Sequence, residues 1–152
     1  MSEPKGWHSR GYLPHYDTPC LVQTVTFRLA DSLPAHVAKQ VLDDPEGTSR
    51  FEILLDKGIG ACWLRDPVVA GLMEAGLLHF DSQRYRLLAW CIMPNHVHTM
   101  VEMLDGHGLG AAVASWKQYV ARMANRHLER SGPFWHVDYF DRFVRDEGHY
   151  QA

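Results

Sequence analysis

The feature that most limits how this chain can fold is a pair of apolar runs joined by a two-residue turn. Residues 85–93, YRLLAWCIM, read as a strand buried on both faces. Pro94-Asn95 is a turn dipeptide, and residues 96–103, HVHTMVEM, read as the next strand. So short a connection joins antiparallel neighbours, because a parallel crossover needs about a dozen residues or more. In a strand, residues i and i+2 share a face. His96 and His98 therefore present two imidazoles on one side of this hairpin, and Val97 points to the other.

The other segments are read around that hairpin. Residues 21–29, LVQTVTFRL, alternate as a half-buried strand does, with Val22, Thr24, Thr26 and Arg28 on one side and Leu21, Gln23, Val25, Phe27 and Leu29 on the other. Ser32-Leu33-Pro34 reads as a helix start, with Ser32 or Asp31 as cap. Helical segments are predicted at about 34–43, 48–57 and 67–77, the last opened by Asp66-Pro67. The clearest helix runs from 109 to about 130. Leu109, Val113, Trp116, Val120, Met123 and His127 fall on one face, and Gly132-Pro133 ends it. Residues 134–144 are predicted to be extended, and Asp146-Glu147 reads as the first turn of a further helix, where acidic side chains favour the dipole. The first twenty residues, with Trp7, Tyr12 and Tyr16, read as an ordered arm anchored by rings. Strand, helices, strand, strand, helix, strand is the order of an α+β sandwich, one antiparallel sheet with helices packed on one side. No repeat or linker interrupts it, and 152 residues suit a single domain.

Composition excludes some function classes. No apolar stretch approaches the roughly 18–20 residues of a membrane span, and the N-terminus lacks the apolar core of a signal peptide, so no membrane partner and a cytoplasmic location are expected. Cys20, Cys62 and Cys91 are far apart and never in a CxxC, which reads as reduced, mostly buried thiols. A net charge of −3 argues against a generic, salt-driven nucleic-acid binder. The charge is uneven, however. Residues 116–152 carry six basic side chains (Lys117, Arg122, Arg126, Arg130, Arg142 and Arg145) against five acidic ones, leaving nine basic and thirteen acidic in residues 1–115.

Two neutral imidazoles on one strand face form a bidentate metal clamp that awaits further ligands; the plainer alternative is a surface pair on an edge strand. The setting favours the clamp, because histidine between two strongly apolar strands needs partners for both nitrogens. Arg122, Arg126 and Arg130, at steps of four with Lys117 close by, form a ridge able to follow a phosphate backbone, or else a solvated helix face. Trp90 and Trp116 are read as core rather than as platforms for bases.

The string AWCIMPNHVHTMVEM resembles the metal-site signature of REP-associated tyrosine transposases of the HUH superfamily. GWHSRGYLPHYDTPCLVQTVTFRLADSLP, SWKQYVARMANRHL and GPFWHVDYFDRFVRDE resemble the same family, so the resemblance spans most of the chain outside 35–80. It implies a ferredoxin-like core in which His96, His98 and one further polar side chain hold Mg²⁺ or Mn²⁺ on the scissile phosphate of single-stranded or hairpin DNA. Mixed nitrogen and oxygen ligands suit Mn²⁺ somewhat better. It also implies a tyrosine nucleophile that forms a 5′-phosphotyrosine link and frees a 3′-OH. The family's tyrosine lies in a string of the type xYIxxNP beyond Arg145-Asp146-Glu147. It is expected about four residues past Ala152, together with an Asn one turn later as third metal ligand. Tyr150 is the candidate within the chain, in surroundings that do not match that string, and Tyr119 is a weaker one. Two other classes stand beside this reading. One is a DNA-hairpin-binding protein without catalysis; the other is a metal hydrolase using His96 and His98 with Glu102. Monomer and homodimer are both left open.

Overall fold

Alternation of β-branched and aromatic residues along 21–29 and 96–103 builds the two central strands of a sheet. The computed structural model describes residues 6–9, 14–17, 21–34, 36–37 and 47–143. In it β1 (Gly6–Ser9) and β2 (Pro14–Asp17) pair with each other. β3 (Val22–Leu29), β4 (Tyr85–Ile92), β5 (His96–Met103) and β6 (Trp135–Phe143) form a four-stranded sheet in the order β4-β5-β3-β6. Every neighbouring pair in it is antiparallel. The crossover from β3 to β4 carries α1 (Gly47–Leu55) and α2 (Pro67–Leu78); that from β5 to β6 carries α3 (Leu109–His127). This is the split β-α-β arrangement of ferredoxin-like folds, as expected. Of the helix expected at 34–43, His36 and Val37 are helical and most of the rest lies outside the described residues. The helix expected from Asp146 lies outside them altogether.

One face of the sheet carries the main core. Val25, Phe27 and Leu29 of β3 and Val97, Val101 and Met103 of β5 pack with α2 and α3. The polar atoms of Tyr85 and Trp116 inside this layer are paired. The Tyr85 hydroxyl donates to the Leu77 carbonyl at 2.6 Å and accepts from Trp116 Nε1 at 2.8 Å, so strand and both helices share one satisfied hydrogen-bond chain. Asp66 caps α2 by accepting from the Val68 amide at 2.8 Å, and it meets His127 Nε2 of α3 at 3.0 Å. The His127 hydrogen bond, then the Val68 amide, holds its carboxyl below the usual range.

Three expectations that fall on β4 need correction. Among the described residues β4 is an edge strand, paired only with β5 and broken by a bulge between Leu87 and Ala89. Leu88 and Trp90 are therefore exposed, not buried, while Trp116 is core. Cys91, also on β4, is exposed, whereas Cys62 is buried. α2 and α3 cover one side of the sheet, and α1 adds cover to the other. Phe51 and Leu55 of α1 form a small second cluster with Leu33, and the Arg28 guanidinium lies 5.5 Å from the Phe51 ring centre. Thr26 and Arg28 are buried as a result. No helix among the described residues is long and apolar enough to cross a membrane.

Candidate metal and DNA site

His96 and His98 lie on the face of β5 turned away from α2 and α3. His96 pairs across the strands with Arg28, and His98 sits between Thr26 on β3 and Cys91 on β4. His96 is fully buried and His98 half-buried. Their ring centres are 4.7 Å apart with planes at 89°, and the two Nε2 atoms approach to 3.0 Å.

Hydrogen bonding fixes which nitrogen of His96 carries the proton. Asn95 Nδ2 donates to the Ile59 carbonyl at 3.1 Å, which turns Asn95 Oδ1 toward His96 Nδ1 at 2.7 Å. An amide oxygen only accepts, so Nδ1 is the protonated nitrogen and Nε2 keeps its lone pair. His98 Nδ1 is 2.9 Å from Thr26 Oγ1, a hydroxyl that can donate or accept. With the proton of His98 on Nε2, His98 donates to His96 and accepts from Thr26. With that proton on Nδ1, Thr26 accepts it and both Nε2 lone pairs face one space. Burial, then the neighbouring His98, push the His96 pKa down to about 4 against a smaller upward pull from Asp56, so the ring is neutral at pH 7.

These residues fit a divalent ion. Two ligands about 2.1 Å from one ion, at right angles, stand roughly 3.0 Å apart, which is the Nε2–Nε2 separation here. Each ring also has a polar partner on Nδ1, as metal-ligating histidines usually do. As the side chains stand, no three His, Cys, Asp or Glu residues among those described close round a single ion position. Beside His98 a cavity of about 420 Å³ opens between Thr24, Thr26, Ala89 and Met100 of the sheet and Glu52 of α1.

The loop that presents Ile59 is itself held tightly. Gly60 has φ +97°, and a Cβ there would lie 2.6 Å from the Asp31 carbonyl oxygen, while the Ala61 amide donates to Asp31 Oδ2 at 3.0 Å. Sequence reading missed Asn95 beyond its place in a turn, and missed Thr26, Ile59 and Gly60 as parts of the site. Thr26 is recoverable only once β3 and β5 are in register.

The basic residues on and just after α3 are not brought to the histidines. α3 packs on the opposite side of the sheet, and Arg122 and Arg126 are exposed on it. Arg130 is tied into structure: its guanidinium lies 3.9 Å from the Trp63 ring centre and donates to Asn125 and to the Pro133 carbonyl. Lys117 Nζ donates to the His136 carbonyl at 2.7 Å, joining α3 to β6. The ridge of the sequence thus reduces to Arg122 and Arg126. Arg142 pairs with Thr24 in the β6–β3 register, and its side chain, like Arg145 and Tyr150, lies outside the described residues. Tyr119 packs against Gly76 of α2, on the helical side. Glu102 shares the face of His98 but stands four residues further along β5, roughly 13 Å at strand rise.

Residues 70–149, more than half of the chain, match the family described as IS200-like transposases. Among solved structures, a REP-associated tyrosine transposase bound to a REP hairpin aligns over 99% of this chain and 67% of its own, with 12% identity and a TM-score of 0.57. A crystal structure of a candidate transposase from Deinococcus radiodurans aligns over 95% of this chain and 90% of its own, with 20% identity and a TM-score of 0.42. No curated protein matches the chain significantly. A ferredoxin-like sheet shared with a transposase structure and a family match across α2, the β4–β5 hairpin, α3 and β6 lead to one assignment: the chain belongs to the IS200-like transposase family.

Proposed function

We propose that this protein nicks single-stranded DNA at hairpin sequences and rejoins strands through a tyrosine-linked intermediate. The observation that carries this is the pair of Nε2 atoms 3.0 Å apart on the sheet face of a transposase-family domain. His96 and His98 would hold Mg²⁺ or Mn²⁺, and the chemistry supplied by that ion is Lewis-acid polarisation of the scissile phosphate. Asn95 and Thr26 orient the two rings from behind. A tyrosine on the segment after β6 attacks phosphorus; the Tyr O–P bond forms, the P–O3′ bond breaks, and the 3′-OH leaves. Strand transfer reverses the step with an incoming 3′-OH. The hairpin carried by the aligned transposase structure makes hairpin DNA the substrate to try first.

The test is to incubate the 152-residue chain, and one extended past Ala152, with end-labelled hairpin DNA and Mn²⁺, then denature and look for labelled protein. An adduct lost in Tyr150→Phe assigns the nucleophile to Tyr150. An adduct from the extended chain alone assigns it to a later tyrosine. Hairpin binding with no adduct from either would overturn catalysis and leave a DNA-binding function.

Arg122 and Arg126 give a second, separable expectation. Reversing both charges should weaken hairpin binding and reduce the salt slope by about 0.7 per lost single-strand phosphate contact, with Mn²⁺ affinity unchanged because the two arginines lie across the sheet from the histidines. Binding titrations across a range of salt concentrations measure it. An unaltered slope would place the DNA on the histidine face alone.

A further inference from the structure

The cavity of about 420 Å³ that opens beside His98 is bounded by two kinds of surface, and its volume lies within the roughly 300–1,000 Å³ of small-ligand pockets. Ala89 and Met100 give it an apolar floor, with the hydroxyl-bearing Thr24 and Thr26 alongside, and Glu52 of α1 gives it a carboxylate wall. Met100 pairs with Ala89 on β4 and with Thr24 on β3, so the floor is one continuous patch of sheet. Phe51 and Leu55 are buried against Leu33 and fix the turn of α1 that carries Glu52, whose own side chain stays exposed. Among the described residues nothing pairs with the outer edge of β4. Ala89 and Cys91 are exposed there, and the cavity is accessible along that edge.

We infer, on the DNA-nicking function proposed above, that this cavity receives the nucleobase next to the scissile phosphate and that Glu52 reads its base-pairing edge in favour of guanine. A strand whose phosphate lies at His96 and His98 sets an adjoining nucleoside beside His98, where the cavity opens. A carboxylate accepts hydrogen bonds and donates none, and it repels phosphates. Of the parts of a nucleotide, only a base edge bearing N–H donors therefore gains by lying against Glu52. Guanine presents N1–H and N2–H side by side, which suit the two oxygens of one carboxylate in a charge-assisted, bidentate pair. Cytosine and adenine offer one amino group each. Thymine has a single N–H between two carbonyls, and those carbonyls are repelled by the carboxylate. Enzymes that act on unpaired or extruded bases read them along this same edge. The flat face of the base rests on Ala89 and Met100. Thr26 Oγ1, 2.9 Å from His98 Nδ1, joins the cavity to the histidine ring, so a seated base meets the residue that orients His98.

The test uses hairpins with a single-stranded extension of thymines, on either side of the stem, carrying one guanine that is moved along it position by position. Fluorescence anisotropy with Mn²⁺ present measures their affinity for the 152-residue chain. One position is expected at which guanine tightens binding about tenfold or more, the discrimination of a good bidentate contact to a base. That preference should vanish in Glu52→Ala, while Mn²⁺ affinity and melting temperature stay at wild-type values, since the Glu52 side chain is exposed. Equal affinity at every position, or a guanine preference that survives in Glu52→Ala, overturns the inference and leaves the histidine site standing. Weaker Mn²⁺ binding by Glu52→Ala also overturns it, by assigning Glu52 to the ion. No binding of any hairpin by the wild-type chain overturns the DNA reading itself.

Discussion

Replacing His96 and His98 together by alanine is expected to abolish Mn²⁺ binding and to lower hairpin cleavage by about 10²–10³ or more, the usual effect of removing a main electrostatic stabiliser of a transition state. Hairpin affinity should change little, because Arg122 and Arg126 are exposed on α3 across the sheet from the pair. Calorimetric Mn²⁺ titration and a nicking assay measure the two losses; retained cleavage in the double variant would remove the histidines from the reaction. The same substitution carries a pH signature. An unfolded chain protonates His96 near the ordinary imidazole value of 6.5, but the folded one does so only near 4. The stability tied to the neutral buried ring is thus fully present above about 6.5 and lost as the pH falls through about 4. Urea melts at pH 7 and pH 4.5 should show this loss in the wild type and a smaller one in the double variant.

Gly60→Ala should cost about 2–4 kcal/mol of stability, combining a left-handed backbone with a methyl forced against main chain. The added Cβ would meet the Asp31 carbonyl oxygen at 2.6 Å and the Asp31 Cγ at 2.7 Å, at φ +97°. Gly106→Ala is the control: its φ is +81°, yet nothing lies within 4 Å of the added Cβ, so only the backbone cost of about 1 kcal/mol remains. The Gly60 change should also weaken Mn²⁺ binding about 10–100-fold, because the Ile59 carbonyl that orients Asn95 moves with the loop. Equal destabilisation by the two substitutions, in urea melts, would show that contact with Asp31 is unimportant.

The sheet was largely legible from periodicity. Alternation in 21–29 and 96–103 reports burial on one face, and both strands form as read. β4 was misread because a continuous apolar run does not distinguish a central strand from an edge strand. Its edge position follows from strand order, and no local pattern encodes order. The histidine pair was legible because two residues on one strand share a face whatever the strand pairs with. Thr26 was not, because it reaches the pair from a different strand, and the role of Asn95 was not, because it depends on the Ile59 carbonyl holding its side-chain amide. Arg130 shows the converse error. Helical spacing placed it on a basic ridge, whereas the turn after α3 folds it onto the Trp63 ring.

Asn95 ties together places far apart along the chain. Its carbonyl accepts from the Leu29 amide at 2.9 Å, its side-chain amide donates to Ile59, and its side-chain oxygen receives the His96 proton. Those bonds close long loops, and they form only after β3, the 58–62 loop and the β4–β5 hairpin have met. A chain that has made its hairpin and helices but has not docked them holds two histidines side by side with their protons unassigned. Ion capture is then a property of the assembled domain. A divalent ion that prefers the native state raises its stability in proportion to the logarithm of ion concentration. On the proposed function, DNA cleavage would then be confined to chains that have finished folding, and nascent or partly opened chains would stay inert.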